Sequence, residues 1–353
     1  MKRIKVLHIY KSSIDECFGG IESFMHNLCE EGNYYGIDNL LMTLSPNPKD
    51  KVIDMGNYKV IKVKQNFHIF QTSFSIHAFF KFKQLIKKVD IIHYHFPYPF
   101  ADILHFLCRV KKPSIVTYHS DIIRQKRIFF FYKWLMHRFL NSVDLIVSTS
   151  QNYFATSEIL INISHKVRVI PIGINVKSYP KLNYYDNRIF CKKLPKEFIV
   201  FIGAMRYYKG LKIALEAVQN TRINLVLAGI GEIEKELKII ANKRKMNNVF
   251  FLGKVSESEK VCLLNLSKAF VFPSHLRSEA FGISLLEAAS FAKPLISCEI
   301  GTGTSFINQN NVTGLVVSPS DPIQLRKAMI FLIENPKEAK RMGDNAKKRA
   351  KRL

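Results

Sequence analysis

Short runs of β-branched and aromatic residues alternate with longer stretches of helical spacing along nearly the whole chain. The strand-like runs of the first half are Ile4–Tyr10, Leu40–Leu44, Tyr58–Lys64, Asp90–Phe96, Ser114–Ser120, Asp144–Ser150 and Val167–Pro171. In the second half they are Phe198–Ala204, Asn224–Ile230, Asn248–Val255, Ala269–Ser274, Pro294–Glu299 and Leu315–Ser318. Between them, segments such as Ile213–Val218 and Ile283–Ser290 repeat apolar residues three and four apart, the period of an amphipathic helix. Strand–helix alternation predicts parallel sheets covered by helices on both faces, the doubly wound α/β class. The alternation lapses once, over Val176–Lys196, where Pro180, Pro195 and several Tyr and Asn residues leave no period. The expected organisation is therefore an N-terminal domain over 1–178, a linker over 179–196 and a C-terminal domain over 197–353. Doubly wound sheets bind ligands beyond the carboxyl ends of their strands, so the residues just after each strand carry the chemistry. With two such domains, the cleft between facing strand ends is the expected site.

Composition narrows the class. The 353 residues are enough for about two domains with separate cores. No apolar run approaches the roughly 18 residues that suggest a membrane helix. The start, Met1-Lys-Arg-Ile-Lys-Val-Leu-His-Ile-Tyr10, passes directly into a strand-like run without a small-residue cleavage site, so no leader peptide is expected. Six cysteines without a Cys-x-x-Cys pair fit reduced thiols in the cytoplasm better than disulfides or zinc. With 53 Lys and Arg against 28 Asp and Glu, the formal charge is +25, which raises the question of nucleic acid. The basic residues form no recognition helix or aromatic-interleaved motif, so nucleic acid is not the expected partner. A P-loop is absent, and Gly229-Ile-Gly231-Glu-Ile-Glu234 lacks the third glycine of a dinucleotide fingerprint.

The most specific feature is Ser278-Glu279-Ala-Phe-Gly282-Ile-Ser284-Leu-Leu-Glu287-Ala, which follows a strand and runs into a helix. Gly282 permits close backbone approach, and the N–H groups of Ile283, Ser284 and Leu285 are expected to point out of the helix N-terminus, where phosphate oxygens bind. The Glu-x7-Glu pattern with its Phe-Gly resembles the signature of retaining glycosyltransferase family 4, whose fold is GT-B. Gly19-Gly20-Ile-Glu22, Ile170-Pro-Ile-Gly173-Ile-Asn175, Gly203-Ala-Met-Arg206-Tyr-Tyr-Lys209-Gly210, Ala228-Gly229-Ile-Gly231-Glu232 and Asn311-Val-Thr-Gly314 resemble further family segments in order and spacing. The resemblance covers essentially the whole chain.

That resemblance implies a metal-independent hexosyltransferase using a nucleotide diphosphate sugar and no cofactor. It places Lys209 and Arg206 on the donor diphosphate, with Gly19, Gly20, Gly282, Ile283, Ser284 and Leu285 as further donor contacts. Glu287 is expected on the ribose hydroxyls and Glu279 beside the transferred sugar, as the group stabilising charge near the anomeric carbon. His119, in Tyr118-His119-Ser120-Asp121, matches a family His that lies against the donor sugar, making it the second catalytic candidate. Asp121 is expected either to orient His119 or to contact the acceptor, and Arg124 follows as an acceptor contact. The family's Arg after the phosphate-segment glycine is Ala204 here, so Arg206 is expected to stand in for it. The late glycine-rich loop reads Gly301-Thr-Gly303-Thr-Ser305 and lacks the family's carboxylate. His93 and His95, two apart on one strand, read as core or cleft lining; a metal reading lacks a third ligand. The segments 118–126 and 301–306 resemble enzymes of bacterial surface polysaccharide synthesis, some using GDP-mannose; a UDP-hexose is the other donor considered.

The charge is unevenly placed. From Lys59 to Arg138 there are 15 Lys and Arg against Asp90, Asp102 and Asp121. The same region holds a Phe-rich stretch, 67–82, and Ile128-Phe-Phe-Phe-Tyr-Lys-Trp134-Leu-Met-His-Arg138. Aromatic residues mixed with cations suit an anionic membrane surface. The expected function is transfer of a hexose to a lipid-linked saccharide at the inner face of the cytoplasmic membrane. The alternatives are a sugar-nucleotide epimerase and a basic nucleic-acid-binding protein.

Overall fold

The computed structural model describes residues 3–17, 19–48, 52–69, 72–122, 126–181 and 188–353. The chain forms two compact units, one of residues 1–149 and 157–170, the other of residues 150–156 and 171–353. The chain therefore enters the second unit briefly at 150–156, returns, and leaves the first for good after Ile170. The sequence placed its boundary at 178 and kept 150–156 with the N-terminal half.

The first unit contains strands β1 (Ile4–Ile9), β2 (Ile37–Ser45), β3 (Val52–Asp54), β4 (Lys59–Lys64), β5 (Phe67–Ile69), β6 (Thr72–Phe74), β7 (Ile91–Phe96), β8 (Ser114–Tyr118), β9 (Leu145–Ser148) and β10 (Val167–Val169). Its sheet runs β10-β9-β8-β7-β1-β2-β4-β3, all parallel except the edge strand β3; β5 and β6 make a separate hairpin. Helices α1 (Gly20–Tyr34), α2 (Ile76–Leu85), α3 (Pro99–Leu107) and α4 (Lys126–Ser142) provide the crossovers. The interior strands are apolar because parallel strands are covered on both faces: Leu7, Val60, Ile92, Val116 and Ile146 are fully buried. Polar residues interrupt this pattern, and among them the histidines of β1 and β7 fall on one face. β1 and β7 pair with His8 beside His93, and β7 and β8 pair with His95 beside Thr117.

Helix α5 (Gln151–Thr156) belongs to the second unit and α6 (Glu158–Asn162) to the first. In the second unit, strands β11 (Ile199–Ile202), β12 (Leu225–Ala228), β13 (Val249–Gly253), β14 (Ala269–Phe272), β15 (Leu295–Cys298) and β16 (Gly314–Val317) form an all-parallel sheet in the order β13-β12-β11-β14-β15-β16. The helices are α7 (Arg188–Lys192), α8 (Leu211–Val218), α9 (Glu234–Lys243), α10 (Glu257–Leu266), α11 (Ile283–Ser290), α12 (Gly303–Ile307), α13 (Pro322–Glu334) and α14 (Pro336–Ala350). Strand order reverses between β1 and β7 in the first unit and between β11 and β14 in the second. Chain direction diverges there, leaving a crevice at the strand ends where doubly wound folds bind ligands.

Candidate active site

In the second unit the crevice is lined by the segment after β11 and the segment after β14. The first leaves the sheet at Gly203 and tightens into a single 3-10 turn, Tyr207–Lys209. That turn ends at Gly210, whose left-handed φ of 69° also places it where a Cβ would overlap the carbonyl oxygen of Pro273. Glycine is thus required by both conformation and space. The contact brings the two segments together, and His275 N–H donates to the Tyr208 carbonyl at 3.0 Å.

Lys209 and Glu279 meet directly as an ion pair, with side chains 11% and 10% exposed. The ammonium also lies 4.5 Å from the centre of the Phe272 ring and 5.4 Å from that of Tyr208. Ser274 Oγ donates to Glu279 Oε2 at 3.4 Å. A charge pair this buried requires strong mutual compensation. Gly282 then turns left-handed, φ 94°, and starts α11. The expected trio of free N–H groups is corrected at one position, because Leu285 N–H donates to the Gly282 carbonyl at 2.9 Å. The tightened first turn leaves Ile283 and Ser284, whose position gives their N–H groups no intrahelical carbonyl. Ser284 lies beside Gly203, so the helix start faces the end of β11.

Glu287, in the next turn of α11, holds two partners through Oε1: Tyr179 Oη donates at 2.5 Å and Lys260 Nζ at 2.8 Å. Lys260 also reaches Glu257 at 2.8 Å and sits 4.9 Å from the Tyr179 ring centre. Sequence reasoning missed Tyr179 and Lys260 because neither lies in the motif. It also missed Arg277, which donates to Thr156 Oγ1 and the Gly301 carbonyl and stacks on Tyr153, fastening α5 to this unit. The late glycine-rich loop takes its carboxylate from its front end: Glu299 Oε1 accepts from Gly301 N–H and Ser305 Oγ, both at 2.8 Å. Arg206 is exposed at the start of the 3-10 turn.

In the first unit, Gly19 and Gly20 lie at the start of α1. Glu22 fills the space beside Gly19, where a Cβ would strike its carboxylate, and Ser12 Oγ donates to Glu22 at 2.6 Å. The chain's own carboxylate thus sits beside the two glycines expected as donor contacts. His119 follows β8, 5% exposed, with its ring edge-on to Phe24 at 5.2 Å. Asp121 Oδ1 accepts from Tyr118 Oη at 2.9 Å and from Ser157 Oγ at 3.0 Å. Arg124 lies outside the described residues. His93 and His95 are joined by a third histidine that the sequence pattern did not place beside them: ring nitrogens of His8, His93 and His95 lie within 4.8 Å of one another.

Sequence comparison bears on what these groups serve. The model of glycosyltransferase family 4 matches residues 18–178, and that of glycosyl transferases group 1 matches residues 187–349. The chain is 48% identical over 350 residues to the D-rhamnosyltransferase WbpZ of Pseudomonas aeruginosa, covering 99% of this chain and 92% of that protein. The chain belongs to the family 4 glycosyltransferases. It is also 43% identical over 348 residues to the O-antigen chain mannosyltransferase C of Escherichia coli, covering 98% and 93% of the two chains. This glycosyltransferase shares its GT-B fold with the sucrose-phosphate synthase of Thermosynechococcus elongatus, at TM-score 0.82 and 19% identity, over 99% of this chain and 95% of that one. The Anabaena protein HepE, solved with UDP and glucose, superposes at TM-score 0.78 and 18% identity over the same shares. Among the described residues, no helix of the glycosyltransferase is long and apolar enough to cross a membrane.

Proposed function

We propose that this glycosyltransferase moves a mannose-configured hexose, with retention, from a nucleotide diphosphate sugar of the GDP type to a lipid-linked saccharide in O-antigen assembly. The observation that carries the reading is the buried Lys209–Glu279 pair beside the start of α11, at the strand-order reversal. Two relatives supply the sugar class: one is named for mannose and the other for D-rhamnose, which is 6-deoxymannose.

In this reading the donor diphosphate lies against Lys209, Arg206 and the N–H groups of Ile283 and Ser284. These fixed positive groups stabilise the negative charge that grows on the leaving diphosphate, so the chain itself supplies the electrophilic assistance and no metal is needed. When the diphosphate draws the ammonium of Lys209, Glu279 is released toward the sugar. There it binds hydroxyls and stabilises the positive charge near the anomeric carbon. Glu287, held through one oxygen by Tyr179 and Lys260, offers the other to the ribose hydroxyls. His119 contacts the donor sugar. An oxygen of the leaving phosphate takes the acceptor hydroxyl's proton on the face from which it departs, and the new bond forms on that face.

The acceptor's lipid favours attachment at the inner face of the cytoplasmic membrane. Adjacent helices α2, α3 and α4 carry exposed Phe80, Leu107 and Trp134, and the Arg138 guanidinium lies 5.2 Å from the ring centres of both Phe106 and Trp134. Such a surface combines apolar insertion with cationic attraction.

A panel of GDP- and UDP-sugars, scored by thermal stabilisation in the presence of chelator, tests the donor assignment. A GDP-linked sugar of mannose configuration at about 100 Kd is expected to add about 2.7 kcal/mol of stability. Stabilisation by UDP-sugars alone, or only when a divalent metal is restored, would contradict it.

A further inference from the structure

The first unit contains a row of buried histidines whose hydrogen bonds run in one direction. Asn39, on β2, donates through Nδ2 to the Cys29 carbonyl at 3.0 Å. A carbonyl only accepts, so the amide's orientation is fixed and Oδ1 faces His8 Nε2 at 3.0 Å. His8 Nδ1 lies 3.1 Å from His95 Nε2, and His95 Nδ1 lies 3.1 Å from His119 Nε2. His8 and His95 are each 1% exposed, and their rings are stacked with centroids 5.4 Å apart. His93 stands beside the row. Its ring stacks on His95 with centroids 4.6 Å apart, while its Nε2 bonds Thr117 Oγ1 at 2.7 Å.

A neutral imidazole has one N–H and one lone pair, so each link fixes the next. Because Asn39 Oδ1 accepts, His8 carries its proton on Nε2 and accepts through Nδ1. His95 must then donate through Nε2 and accept through Nδ1, which makes His119 donate through Nε2. We propose that Asn39, acting through His8 and His95, fixes His119 as the Nε2–H tautomer and so presents Nδ1 as a hydrogen-bond acceptor to a hydroxyl of the donor sugar. Asn39, His8 and His95 are positioning residues, and the proposal rests on the reading of His119 as a sugar contact. Burial supports the neutral form throughout: it lowers His8 to about 4 and His119 to about 3, and holds His95 well below its ordinary value. The bonds span β2, β1, β7 and the end of β8. A metal held by His8, His93 and His95 would compete for the nitrogens that His8 and His95 share.

Two-bond proton–nitrogen correlation on the full chain, labelled with 15N-histidine, reads each tautomer directly. The wild type is expected to show Nε2–H for His8, His95 and His119. Asn39→Leu, which removes the anchoring acceptor, is expected to give a mixed pattern at His119 and about a tenfold loss in kcat/KM, the effect of roughly 1.4 kcal/mol. Thr117→Val, which removes the hydroxyl bonded to His93 and no hydrogen bond within the row, is expected to leave the His119 pattern unchanged. The wild-type spectrum decides even if a variant does not fold: an Nδ1–H or charged His119 near neutral pH, or shifts showing coordinated metal, overturns the proposal. Full activity in His119→Ala, with the tautomer as expected, would instead overturn the functional reading and remove the ligand that the row serves.

Discussion

Lys209 and Glu279 compensate one another in a nearly dry site, so changing either has two separable effects. Glu279→Gln keeps a hydrogen-bonding group beside Lys209 but removes the negative charge. Transfer is expected to fall about 10²–10³-fold, while the donor Kd stays within about threefold, checked by single-turnover kinetics and calorimetry. Lys209→Ala removes a cation from the diphosphate and leaves a carboxylate buried without it. Donor affinity is expected to fall about 10–100-fold and stability by about 3 kcal/mol, read from urea titration. Unchanged donor affinity in Lys209→Ala would take that residue off the diphosphate. Both members of the pair were legible because each lies in a motif just after a strand. His8 was not: no periodic signal joins it to His93 or His95, and only the placement of β1 beside β7 makes them neighbours. Tyr179 and Lys260 were hidden for the same reason, since each comes to Glu287 from a distant segment.

Elements position these groups through a few backbone contacts. Gly210 makes one such close contact, and Gly210→Ala is expected to cost at least about 2 kcal/mol and to lower donor affinity by moving the Lys209 turn off Pro273. Wild-type donor affinity in that variant would show that the turn does not locate Lys209. The histidine-bearing sheet face has a pH signature. Desolvation holds His8, His93, His95 and His119, together with His105 of α3, at pKa values below the ordinary 6.5, with His8 and His105 near 4. The unfolded chain therefore binds more protons than the folded one as pH falls below 6.5, so their stabilisation is complete above that value and is lost toward about 4. Asp102, pushed up to about 8 by burial although a hydrogen bond from the Tyr132 hydroxyl lowers it, acts in the opposite sense, but it is one group against five. Unfolding temperature is expected to drop between pH 7 and pH 5, and a flat profile would contradict neutral burial. The long alternating strands were readable from periodicity. Three-residue β3, β5 and β6 were not, being too short to show a period, and α5 joined the second unit through Arg277 rather than through its own pattern.

At the scale of the whole molecule, the +25 charge first pointed toward nucleic acid, and its position along the chain and its aromatic neighbours changed that reading. The doubly wound class was legible because alternation extends over the whole length, whereas strand order had to come from the fold. If the α2–α4 surface meets a membrane, Leu107→Ser with Trp134→Ser is expected to reduce pelleting with anionic vesicles at least tenfold, with little change on neutral vesicles. Equal pelleting of both proteins would move the contact elsewhere. The proposed reaction is retaining transfer of a mannose-configured sugar to a lipid-linked saccharide. It is tested most directly by incubating the full chain with an α-linked GDP-mannose-type donor and such an acceptor, then determining the anomeric configuration of the product by NMR. An α-linked product that requires Glu279 is expected; a β-linked product, or hydrolysis or epimerisation without transfer, would contradict retaining transfer.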